Sequence, residues 1–385
     1  MPTIARRAPI LAVLLSLSAG LFSTPSRGEE AAAAPPAPRI QMAILLDTSN
    51  SMDGLINQAR SQLWKIVNQF ATATRHGRQP RLEVALFEYG KSSLPASEGH
   101  IQLIVPLTED LDKVSEELFR LQTNGCDEYC GQVIARAAEQ LAWSTAAGDL
   151  KCIFIAGNEP FTQGSVAFQD ACRAAIAKDI TVSTIFCGPH QEGIETMWAE
   201  GAKLADGSYM SIDQDRAVPE VPTPHDAELA RLSAELNKTY AAYGTDQQRE
   251  TALLRQAAQD ANAATAAPAA AAQRAATKAS RLYSNAGWDL VDACQQGRLK
   301  LEDLKDDQLP EDLRKMSLQE RREYIDKMAQ QRKELQQQIA ELSQQRDQYV
   351  AAELKKQNAQ PGDSLDAAIV DTVRTQGENK QYTFK

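Results

Sequence analysis

The chain is short of histidine, short of aromatic side chains and without surplus basic charge, and each shortage narrows what it does. Its four histidines, His76, His100, His190 and His225, are scattered over 385 residues and sit near no obvious nucleophile. It has no Gly-x-x-x-x-Gly-Lys phosphate loop, no Gly-x-Ser-x-Gly elbow and no His-Glu-x-x-His pair. The expectation is a protein with no catalytic residues and no enzymatic activity. A formal net charge of −10 argues against a nucleic-acid partner, because phosphate binding needs a basic patch. Beyond residue 22 no apolar run is long enough to cross a bilayer. Six cysteines in a chain of this length are too sparse for a small disulfide scaffold.

The N-terminus has the composition of an export signal. Arg6 and Arg7 precede an apolar stretch over 10–22, followed by small residues and a plausible cleavage point near Gly28. The expectation is an exported protein, periplasmic or extracellular, whose signal occupies 1–28. Residues 29–38 are rich in alanine and proline and suit a flexible spacer.

Residues 40–51 read I-Q-M-A-I-L-L-D-T-S-N-S. The continuous apolar run suits a strand buried on both faces, as in a parallel sheet. In such sheets ligands bind beyond the carboxyl ends of the strands. Asp47, Ser49 and Ser51 would stand there on one turn, offering a carboxylate and two hydroxyls. Such an oxygen-only donor set suits a hard cation that keeps several waters. The competing structural role for either serine is to cap the helix that follows.

The same alternation continues down the chain. Helical spacing runs over 55–73, strands over 82–89 and 101–105, and helices over 111–121 and 133–143. The short connection over 90–99 makes 101–105 an antiparallel neighbour. A strand over 152–156, a helix over 168–177, a strand over 181–186, a helix over 194–204 and a short strand over 209–212 follow. A helix is expected over 222–243. This order predicts an α/β fold: a doubly wound, mainly parallel six-stranded sheet with helices on both faces.

Asp47, Ser49 and Ser51, set after a buried strand in this order of elements, resemble the von Willebrand factor type A domain and its metal-ion-dependent adhesion site. The resemblance covers about residues 39–244. It implies that the Asp-x-Ser-x-Ser turn holds a divalent cation, Mg²⁺ or Ca²⁺, completed by an acidic group of a protein ligand. The family draws a threonine from the loop before its third long helix; here that position falls near Glu128, with Asp127 beside it. It draws an aspartate from the end of the fourth strand, where this chain has Gly157. Asn158 or Glu159 would then act through water. The resemblance implies an adhesion or envelope-assembly module, with partnership to an ATPase-driven assembly or metal-insertion system as the alternative and metal-dependent hydrolysis as a third.

Cys126, Cys130 and Cys187 are expected at the same end of the sheet. In an exported chain they suit a disulfide that fixes the loop. The alternative is zinc, with His190 as fourth ligand.

The remaining third is helical. Residues 245–308 are alanine-rich, with a break expected at Pro268. Over 309–357 a long helix carries a heptad seam: Ile325, Met328, Arg332, Leu335, Ile339, Leu342, Arg346 and Tyr349. Two arginines in that seam favour packing within the chain over a tight dimer, with self-association through 320–350 as the other outcome. Residues 358–385 read as a polar tail with a strand-like run at Tyr382–Thr383–Phe384.

Overall fold

The central strand forms where the apolar run is longest, because only a position covered on both faces can bury every residue from Ile40 to Asp47. In a computed structural model the described residues are 37–125, 127–215, 221–356 and 365–384. The export signal and most of the spacer therefore lie outside the described residues.

The strands are β1 (Arg39–Asp47), β2 (Thr74–Arg75), β3 (Arg81–Tyr89), β4 (Ile101–Thr108), β5 (Leu150–Gly157), β6 (Thr181–Cys187), β7 (Tyr209–Ile212) and β8 (Tyr382–Thr383). The main sheet has the order β4-β3-β1-β5-β6-β7. All neighbours are parallel except β3 and β4, so β4 is the antiparallel edge the short connection implies. This is the doubly wound sheet expected from the sequence.

The helices are α1 (Asp53–Ala71), α2 (Leu111–Arg120), α3 (Cys130–Gln140), α4 (Phe168–Ile176), α5 (His190–Glu195), α6 (Trp198–Leu204), α7 (Asp226–Asn237), α8 (Asp246–Ala266), α9 (Pro268–Ala279), α10 (Leu290–Gln295), α11 (Glu311–Arg314), α12 (Leu318–Lys356) and α13 (Leu365–Asn379). Alternate residues of β1 enter separate cores, as strand geometry requires. Met42, Ile44 and Leu46 pack with Trp64 and Val67 of α1 and with Ile369 and Val373 of α13. Ala43 and Leu45 pack with Val133 and Ile134 of α3 and with Trp198 of α6.

Three elements differ from the sequence expectation. The helix expected over 194–204 is two helices, broken at Met197, whose φ is +74°. The helix expected over 222–243 is confined to α7, which starts at Asp226 and ends at Asn237. The tail folds back: Leu365 and Asp366 donate their backbone N–H groups to Gln58 and Gln62 of α1. Beyond α13, β8 pairs with β2, and the Tyr382 hydroxyl donates to the Arg39 carbonyl at 2.7 Å. The break at Pro268 is present, with the proline at the start of α9, where its missing N–H costs nothing.

The heptad seam of α12 is filled from within. Arg332 donates to Asp289 at 2.6 Å, to Asp292 at 2.5 Å and to the Thr239 carbonyl at 2.6 Å, and lies 4.4 Å over the Tyr240 ring. Arg346 donates to Asp226 at 2.8 Å. Ile325, Met328 and Ile339 are buried with them. The seam offered for self-association is thus occupied by the chain's own α7, α9 and α10. Each buried guanidinium finds a carboxylate more than 35 residues away, a pairing invisible in the heptad pattern.

Candidate metal centre at the carboxyl end of the sheet

β1 ends at Asp47 and the chain turns at once, so the carboxylate is delivered to the sheet's carboxyl edge while remaining fully buried. The Ser49 backbone N–H donates to Asp47 Oδ1 at 2.7 Å, closing the turn. Ser49 Oγ and Ser51 Oγ lie 3.4 Å apart. Neither serine caps the following helix: α1 starts after Met52, with no side-chain cap bond. Their hydroxyls are left facing the site. Gln214 donates to the Ser51 carbonyl at 2.8 Å and pins the loop from the β7 side.

The loop before α3 supplies the second carboxylate. Of the two candidates, Glu128 enters the site and Asp127 does not. Glu128 is 1% exposed and lies within hydrogen-bonding reach of both Asp47 and Ser49. Asp127 is exposed, and its Oδ2 accepts from the Tyr129 hydroxyl at 3.3 Å. The close approach depends on Gly90, whose φ is +79° and where a Cβ would stand 2.8 Å from both Asp47 Oδ1 and Glu128 Cγ. Thr123, the other oxygen of this loop, donates instead to Asp53.

Gly157 has a reason of its own. A Cβ built there meets the Tyr89 hydroxyl at 2.5 Å and Asp47 Oδ2 at 3.2 Å. The Tyr89 hydroxyl donates to the Ala156 carbonyl at 2.9 Å, so the ring is fixed in the space a side chain at 157 would need. Where the resemblance implies an aspartate, the space is taken by a tyrosine from β3, two strands away across β1. Asn158 sits one residue further on and donates to Ser51 Oγ at 3.2 Å. Glu159 bears on Asp47 and Glu128 only through its charge.

Burial raises both acids, Asp47 to about 6 and Glu128 to about 10; Asp47 pushes Glu128 up further, while the hydrogen bond from Glu128 holds Asp47 down. At neutral pH the pair holds about one proton between them. Among the described residues, Asp47 Oδ2, Glu128 Oε2 and Asn158 Oδ1 are buried acceptors that no group donates to, apart from the one proton the carboxyl pair shares. Buried acceptors normally find donors, so three in one place call for a cation or water. Among the described residues no three His, Cys, Asp or Glu side chains gather as a metal cluster; the oxygens here come from two carboxylates, two hydroxyls and an amide.

Of the three cysteines expected at this end of the sheet, two are described. Cys130 and Cys187 are free, buried thiols. Cys130 packs in the core on the α3 face and Cys187 in the core on the α1 face, so the sheet stands between them. Neither a disulfide joining these two nor a zinc site using both can form. His190 is exposed and contacts Ser211 Oγ at 3.3 Å. Cys126 lies outside the described residues. Burial pushes both thiols well above their ordinary range. A thiol reagent should therefore modify half-buried Cys294 first and reach Cys130 and Cys187 only after denaturant is added. A Cys130–Cys187 cross-linked peptide in a non-reduced digest would overturn this assignment.

The strand order and the antiparallel edge are those of a von Willebrand factor type A-like fold, with the Asp-x-Ser-x-Ser turn at the carboxyl end of its central strand. Solved structures similar to part of this chain include BatB from Bacteroides thetaiotaomicron, 18% identical, covering 45% of this chain and 90% of that one with a TM-score of 0.34. An aerotolerance-related membrane protein from Bacteroides fragilis is 16% identical over 46% of this chain and 93% of its own, with a TM-score of 0.31. The SpRpn10 VWA domain is 14% identical over 48% of this chain and 90% of its own, with a TM-score of 0.34. No family model matches the chain, and no curated protein matches it in sequence.

Proposed function

We propose that this chain is an exported, non-catalytic binding module whose carboxyl-end site takes an acidic group of a protein partner through a divalent cation. The observation that carries the reading is the trio of buried oxygens on Asp47, Glu128 and Asn158 that no other described residue donates to, set beside the Ser49 and Ser51 hydroxyls. Asp47, Ser49, Ser51 and Glu128 would hold the cation, and Asn158 would contribute directly or through water. All are hard oxygen donors, which favours Mg²⁺ or Ca²⁺ over zinc. A bound cation would supply the positive charge that two neighbouring carboxylates otherwise deny to an acidic ligand. The helical region braces the domain: α9 and α13 lie against α1, the helix that starts at the site's edge.

The test is capture from an envelope fraction by the immobilised chain. A partner should be retained in Mg²⁺, released by EDTA, and missed by Asp47→Ala protein that still melts cooperatively. Retention unchanged by both EDTA and the substitution would reject the reading.

A further inference from the structure

Two large apolar side chains stand exposed on the segment that follows β6, one in the last turn of α5 and one between α5 and α6, at the same end of the sheet as the carboxylate pair. Ile194 is 41% exposed and Met197 is 42% exposed. Their exposure is held in place by the backbone beneath. The Tyr209 hydroxyl donates to the His190 carbonyl at 2.6 Å, Thr184 donates to the Trp198 carbonyl at 2.8 Å, and Phe161 donates its N–H to the Thr196 carbonyl at 2.9 Å. Trp198 is fully buried, with its ring 4.8 Å from Phe161 and 5.8 Å from Phe186. Met197 adopts φ +74°, a conformation that costs energy for a side chain of this size and persists only where the surroundings enforce it.

The same segment is tied to the site. The Trp198 indole donates to the Glu159 carbonyl at 2.8 Å, the Gln163 amide donates to Glu159 Oε2 at 3.1 Å, and Gln163 Oε1 accepts from the Glu128 backbone N–H at 3.1 Å. The apolar pair and the Glu128 loop therefore form one preorganised surface, which lowers the ordering cost of binding.

Resting on the cation reading above, we infer that Ile194 and Met197 form the second half of the binding surface, and that the partner is an extended segment pairing an acidic residue with a large apolar residue about three positions away. The spacing follows from the ties beneath. The Thr196 carbonyl, beside Met197, accepts from the Phe161 N–H, and Asn158, three residues before Phe161, donates to Ser51, so about three extended residues, roughly 10 Å, separate the turn from the site. Three extended residues of a partner span roughly that distance. Charge decides the polar half: a cation-filled site attracts an acid, whereas Asp47, Glu128 and Glu159 without one would favour a basic segment.

A random peptide library selected on the immobilised full chain in Mg²⁺ tests this, with the best recovered peptide then measured by fluorescence anisotropy. Recovered sequences should share an Asp or Glu with a large apolar residue two to four positions away. Replacing the apolar residue by serine should weaken binding about tenfold, the usual scale for a buried anchor. Ile194→Ser and Met197→Gly should do the same. Met197→Gly is the decisive variant: glycine is at ease at positive φ, so its melting temperature should hold or rise while binding falls. Acidic peptides that bind these variants as tightly as the parent would overturn this inference and leave the cation reading intact. Binding indifferent to EDTA, or basic peptides that bind better in EDTA, would overturn both. A library that yields no shared pattern counts against the inference.

Discussion

Millimolar Mg²⁺ or Ca²⁺ is expected to raise the melting temperature of this protein by a few degrees, and Asp47→Ala is expected to abolish the rise. A ligand at 100 times its dissociation constant stabilises the folded state by about 2.7 kcal/mol, which for a chain of this size is a shift of a few degrees. The sign with pH is also set by the site. Asp47 and Glu128 are raised by burial, to about 6 and about 10, from roughly 4 in the unfolded chain. The folded, cation-free protein therefore holds protons that the unfolded chain gives up. The stability this contributes is complete below about pH 4 and is lost as pH rises, through about 6 for Asp47 and on toward 10 for Glu128. A divalent cation must displace the shared proton, so binding near pH 7 should release about one proton. Affinity should rise by up to about tenfold per pH unit while that proton remains bound. Titration calorimetry in two buffers of different ionisation enthalpy reads the proton directly. No heat and no melting shift with Mg²⁺, Mn²⁺ or Ca²⁺ between pH 6 and 8.5 would reject the site.

Arg274→Ala should cost about 3–5 kcal/mol in urea unfolding, the range for stripping one partner from a buried ion pair. Arg274 is 1% exposed on α9. It donates to Asp112 of α2 at 2.7 Å and to Asp260 of α8, and lies 4.6 Å over the ring of Trp64 on α1. The Tyr283 hydroxyl completes Asp112 at 2.7 Å, and Lys278 bonds Asp260 at 2.9 Å. Removing the guanidinium leaves Asp112 buried with the tyrosine alone and opens a gap against Trp64. Arg274→Lys should recover only part of the loss, because an ammonium cannot span two carboxylates and an indole face together. A loss below about 1 kcal/mol for the alanine variant would show that this ion-pair cluster does not hold the helices to the sheet domain.

Much of the domain was legible because its signals are local. A strand covered on both faces must be apolar throughout, which exposed β1, and its abrupt end at Asp47 marked the ligand edge. The short connection before β4 announced an antiparallel edge, and Pro268 marked the start of α9. The Asp-x-Ser-x-Ser turn was readable for the same reason: its three oxygens lie within five residues.

What only the tertiary structure decided involves partners distant in sequence. Asp127 and Glu128 are adjacent and chemically alike, and the choice between them depends on which carboxylate passes over Gly90. Cys130 and Cys187 both come near the carboxyl end, but strand and helix geometry send one thiol to each face of the sheet. The vacant position at Gly157 is explained by Tyr89, a residue of another strand. The arginines of α12 looked costly in a seam until Asp226 and Asp289 closed on them. The polar tail showed a weak pattern because the face α13 buries against α1 and the sheet includes Asp366, Thr372 and Gly377 among its apolar residues. Hydrophobic periodicity reports which face of an element is covered; it carries no record of which distant residue does the covering, and at this site that residue sets the charge, the space and the free oxygens.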